Sequence, residues 1–108
     1  MSTVDAVRWA SMSLAEQMAN TGSEVGRSAK WRAKGKSSLA YSAYIRALDL
    51  MDMTIAHGRK GLPGRDALLK ELLRARDCYA EAFNAADMDS LEYLDRYFSS
   101  FSSIYRRL

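Results

Sequence analysis

One histidine and one cysteine, with scattered carboxylates, are all that this chain offers to catalytic chemistry. His57 has the titration range of a general acid–base or a metal ligand, and Cys78 is a potential nucleophile. Neither has a partner of the complementary kind close by in sequence. Bundle di-metal sites take a Glu-x-x-His pair from each of two helices, which a single histidine cannot supply. Asp49 with Asp52, and Asp77 with Glu81, share helix faces, but Arg46, Arg74 and Arg76 are within reach and favour ordinary ion pairs. His57 reads as a cation closing a helix C-terminus, and Cys78 as a packed helical residue. There is no dinucleotide fingerprint, no paired-cysteine zinc pattern and no phosphate loop. The glycine-rich run from Gly58 to Gly64 lacks both the terminal Lys-Ser/Thr and a preceding strand. No catalytic, metal-binding or cofactor-binding residue is assigned, no cofactor is expected, and the chain reads as a non-enzyme.

Binding chemistry has more to work with. Net charge is +3, and residues 27 to 36 hold Arg27, Lys30, Arg32, Lys34 and Lys36 around Trp31 without an acid. Cations interleaved with an aromatic are what single-stranded nucleic acid uses, through phosphate attraction and base stacking. In an up-and-down bundle the acidic turn formed by Asp87, Asp89, Glu92 and Asp95 falls at the same end and offsets that field. A second patch, Arg59, Lys60, Arg65, Arg106 and Arg107, gathers at the opposite end and is the better candidate for an acidic partner. On the last segment Tyr93, Tyr97 and Phe101 form an i, i+4, i+8 line beside Leu94, Phe98 and Tyr105. One line fills a core; the second predicts a protein interface.

These residues must be positioned by helices. The 108-residue chain has one proline and six glycines, with hydrophobic residues at 48% and charged ones at 27%. That is enough for a single domain over 1–108 with a real core. Ser13-Leu14-Ala15-Glu16 reads as a capping box, so a first long helix starts there, with a short turn or helix before it. Val7, Leu14, Met18, Thr21, Val25, Ser28 and Arg32 mark its inner face. Gly22 and Gly26 lie in a small-residue stripe and predict a close helix approach. After Gly35, either Ser37 or Ser38 caps a second helix, whose face carries Tyr41, Tyr44, Ile45, Leu48, Met51 and Ile55, widened by Ala40, Ala43, Ala47, Leu50 and Thr54. The helix stops at His57-Gly58. A third starts near Arg65-Asp66 and shows Leu69, Leu72, Leu73, Arg76, Tyr79 and Phe83. A fourth begins at Asp89, three residues before Glu92, and displays Leu91, Leu94, Phe98 and Phe101. With the first turn centred near residue 36, Glu24 falls opposite Arg46, predicting a cross-helix pair that fixes register.

Three blocks carry a resemblance: Ser13-Leu14-Ala15-Glu16-Gln17, Gly22-Ser23-Glu24-Val25, and Arg46-Ala47-Leu48-Asp49-Leu50-Met51-Asp52-Met53-Thr54-Ile55. With Tyr97-Phe98 and Phe101, they make residues 9 to 105 similar to a family of small uncharacterised bacterial and archaeal proteins. The likeness implies a prokaryotic all-α protein. More loosely, Trp31-Arg32-Ala33-Lys34-Gly35 at the first turn and Ala43 to Leu50 on the returning helix resemble the HEPN superfamily. Its helical bundles include RNA-cleaving toxins and partners of nucleotidyltransferases. HEPN ribonucleases place a histidine four to six residues after an arginine on a late helix. Here Arg74 and Arg76 are followed by Tyr79, Ala80, Glu81 and Ala82, so the resemblance implies a module without the nuclease pair.

The expected fold is all-α: a single antiparallel four-helix bundle, up-down-up-down, with a short extra N-terminal helix. No basic leader precedes an apolar run, and no apolar stretch nears the roughly 18 residues of a membrane span. A soluble cytoplasmic protein that meets no membrane is expected, acting through a protein partner or as a homodimer. An RNA- or nucleotidyltransferase-associated HEPN-like module is the alternative, and a weak enzyme or metal-binding bundle the second.

Overall fold

The computed structural model describes residues 6–57 and 64–107.

 

Side chains are described for residues 6–56, 64 and 66–102. Every regular element among the described residues is an α-helix: α1 (Ala6–Ser11), α2 (Leu14–Ala33), α3 (Ser37–His57), α4 (Arg65–Ala85) and α5 (Met88–Arg107). The four long helices hold 20 or 21 residues each, about 30 Å at 1.5 Å per residue. They form the expected antiparallel bundle, in which α2 and α4 stand on opposite corners with α3 and α5 between them.

The chain breaks between α1 and α2 because Ser13 takes an extended conformation (φ −64°, ψ 157°), and its Oγ accepts the Glu16 N–H at 3.1 Å. The apolar periodicity therefore does not run through the break. Val7, expected inside, is 80% exposed, and Trp9 is the residue that α1 buries. Trp9 Nε1 donates to Thr54 Oγ1 of α3 at 3.0 Å, and Gln17 Nε2 donates to the Trp9 carbonyl at 2.7 Å. These two bonds satisfy buried polar groups and hold α1 across the end of the bundle.

α2 ends in a Schellman turn. Gly35 adopts φ +72°, the Lys36 N–H reaches the Trp31 carbonyl, and the Gly35 N–H reaches that of Arg32. The next turn of backbone is already α3: the Ala40 N–H bonds to the Lys36 carbonyl. Lys36 thus occupies the cap position, and neither Ser37 nor Ser38 does. The same geometry shifts the start of α5. Ala86 closes α4 with φ 53°, leaving Asp87 as the next residue. Asp87 caps α5 by accepting the Ser90 N–H and hydroxyl, so the cap is Asp87 and not Asp89.

Side-chain size sets the spacing of the bundle. α3 buries the small residues Ala40, Ala43 and Ala47 completely. A Cβ placed on Gly22 would lie 2.8 Å from that of Phe98 on α5. The close approach predicted from the glycines is real, and α5 makes it. Two larger α3 side chains expected inside lie on its exposed flank instead: Tyr41 is 57% and Ile45 37% exposed. Leu73 of α4, also expected inside, is exposed. The α4 corner is filled by rings instead. Tyr44 stacks on Phe83 at 4.1 Å, with Tyr79 beside them. Tyr79 and Ser28 hydroxyls meet at 2.6 Å and bridge the α2–α4 diagonal.

Candidate interaction surface

A groove opens on the side of the molecule built by α4 and α5. Tyr97 Oη donates to Glu71 Oε1 at 2.6 Å and ties the two antiparallel helices together. Between them runs a groove of about 410 Å³, lined by Glu71, Arg74, Ala75, Cys78, Tyr93, Leu94 and their neighbours. A hollow of about 230 Å³ continues it toward the α4–α5 turn, between Cys78, Glu81, Ala82, Ala85, Asp87 and Ser90.

The three aromatics expected to form one interface line play different parts. Tyr93 stands out of the groove wall, 62% exposed. Tyr97 is half-buried, its ring edge-on to Phe98 and Phe101 at 5.1 and 5.6 Å. Burial, and then the bond to Glu71, raise its pKa above the ordinary tyrosine value. Phe101 packs against the core. α4 supplies the other wall, which the sequence reading did not identify. Its signal was the stripe Arg74, Cys78, Glu81, Ala85 at i, i+4, i+7, i+11. Cys78, expected to be packed, is exposed. Arg74 and Glu81 are exposed as well, and neither forms an ion pair among the described residues. Glu92 and Arg96, further out on α5, pair with each other at 3.4 Å.

The chain matches no protein-family model, no curated protein and no solved structure.

The basic segment at the end of α2 is largely engaged within the molecule. Arg27 Nη1 bonds to Glu24 Oε1 at 2.9 Å. The ammonium groups of Lys30 and Lys34 lie 5.2 and 5.5 Å from the centre of the Trp31 ring. Arg32 lies over Phe83 at 5.0 Å. Trp31 itself is half-buried against the core, which limits its use as a base-stacking platform. Lys36 is exposed. In the other basic patch, Arg59 and Lys60 lie outside the described residues, and so do the side chains of Arg65, Arg106 and Arg107. The side chain of His57 lies outside them too.

Glu24 and Arg46 meet as the hairpin register predicts, with Arg46 Nε donating to Glu24 Oε2 at 2.8 Å. Arg76 holds Asp52 through two bonds, at 2.7 and 3.1 Å, and ties α4 to α3. That bond is the main cause raising the Arg76 pKa. Among the described residues no group of three or more His, Cys, Asp or Glu side chains is placed to hold a metal ion. No helix among them is long and apolar enough to cross a membrane.

Proposed function

We propose that this protein is a non-enzymatic association module, working by presenting the α4–α5 face to another protein chain. The observation that supports this reading is the groove, with an exposed tyrosine on its wall and an apolar floor of Ala75 and Leu94. Aromatic side chains beside a pocket are the usual anchors of protein interfaces, because they bury a large area for few rotatable bonds. A photo-crosslinking amino acid in place of Tyr93, expressed in cells, tests the proposal. A control in place of Tyr41, also exposed but on α3, calibrates background. Protein adducts from position 93 well above those from position 41 are expected. No adduct at 93, or equal adducts at both positions, would overturn the reading.

The alternative function, an HEPN-like module associated with RNA or a nucleotidyltransferase, draws on the exposed cations Lys30, Lys34 and Lys36. A salt-dependent shift of RNA, lost on Lys30→Glu with Lys34→Glu, would favour it.

A further inference from the structure

The α4–α5 face is self-complementary, and we infer that its occupant is a second copy of this chain, docked about a two-fold axis passing close to Cys78. This inference rests on the association reading above and names its partner.

Three features of the face support it. The first is charge. Arg74 and Glu81 are exposed, without ion-pair partners among the described residues, and lie one on each side of Cys78. At 1.5 Å per residue each stands about 5 Å from a point midway between them. A two-fold axis through that point lays one α4 antiparallel on the other, bringing Arg74 of each copy to Glu81 of its partner. An interface of this symmetry forms every contact twice, so both pairs are made together.

The second feature is shape. Tyr93 lines the groove together with Glu71, Arg74 and Ala75, on the Arg74 side of the axis, and does not line the hollow. The hollow lined by Cys78, Glu81, Ala82 and Ala85 lies on the Glu81 side. The same rotation that pairs the charges carries the projecting tyrosine of each copy over the hollow of the other. Knob and hole are therefore related by the axis that the charges define, though they are formed by different residues. A basic helix from another protein would match Glu81 and Asp87 but would leave Arg74 facing like charge.

The third feature is area. Two helices about 30 Å long and about 10 Å across present roughly 600 Å² per copy. The total of about 1,200 Å² reaches the lower end of specific, stable interfaces.

Light scattering on the purified 108-residue chain, over a dilution series, reads the association directly. The wild type is expected to approach twice the 12.1 kDa of one chain. Arg74→Glu and Glu81→Arg should each weaken the dimer on the order of tenfold or more, since each places like charges together twice. The double variant R74E/E81R should restore it, because the swap rebuilds both pairs. Circular dichroism checks that each variant keeps its helices. As an independent readout, a short bis-maleimide should link Cys78 to Cys78 in the wild-type dimer and fail to do so in the single variants. A monomeric wild type, single variants that dimerise normally, or a double variant that stays weak would overturn the inference. A monomer whose position 93 crosslinks to a different protein also overturns it, and leaves the association reading standing.

Discussion

Tyr79 and Tyr97 hold their protons more tightly than a free tyrosine does. Burial raises the pKa of Tyr79, its bond with Ser28 opposing in part. For Tyr97, burial and the bond to Glu71 act in the same direction. In the unfolded chain both ionise near pH 10, while in the folded protein they stay neutral to higher pH. The folded state then holds more protons than the unfolded one, and stability falls as pH rises above about 10. The contribution is fully present below that pH. Ultraviolet titration of the native protein should show Tyr79 and Tyr97 ionising late, together with loss of helix. Tyr97→Phe should remove one late tyrosine and soften the alkaline decline. A single unperturbed transition for all tyrosines would contradict the bonds described. Sequence marked both residues as inward or interfacial, yet the hydroxyl partners Ser28 and Glu71 come from distant segments and were not legible.

At the scale of elements, Gly22 and Gly26 show what small residues accomplish in α2. A methyl group at Gly22 would strike the Cβ and backbone of Phe98, at 2.8, 3.2 and 3.3 Å. At Gly26 it meets Asp95 Oδ1 at 2.9 Å, the end of a rotatable side chain. Alanine gains about 1 kcal/mol in helix propensity at either site, whereas overpacking against fixed atoms costs about 1–3 kcal/mol. Gly22→Ala should therefore lower the melting temperature, and Gly26→Ala should leave it unchanged or raise it, as measured by thermal denaturation. The glycine spacing announced a close neighbour but could not say which helix it was. The helix starts were less legible than the helices themselves. Rules that look for a capping side chain chose Ser37, Ser38 and Asp89. The Schellman turns at Gly35 and Ala86 instead decide where the next helix begins. Likewise, apolar periodicity found the α3 helix but placed Tyr41 and Ile45 inside, because it weighs hydrophobicity and reads too wide a stripe, whereas the buried face is carried by Ala40, Ala43, Tyr44, Ala47 and Met51.

For the whole molecule, the tight contact lies where α2 meets α3 and α5, while α4 packs loosely on both neighbours and leaves a grooved seam on its α5 side. The bundle and its order were legible, since four matched periodic segments with short breaks allow few other packings. The seam was only half legible. Tyr93 and Tyr97 pointed to it, but the facing stripe on α4 looked like an ordinary charged surface. Cys78 sits on this seam and reports whether it is covered. Thiol labelling with a membrane-permeant maleimide, comparing intact cells with dilute purified protein, follows that residue without altering the face. Markedly slower labelling is expected in cells, where an associated chain shields the groove, and a return to the dilute rate in cells expressing Tyr93→Glu. Equal rates in cells and in dilute solution would contradict the association.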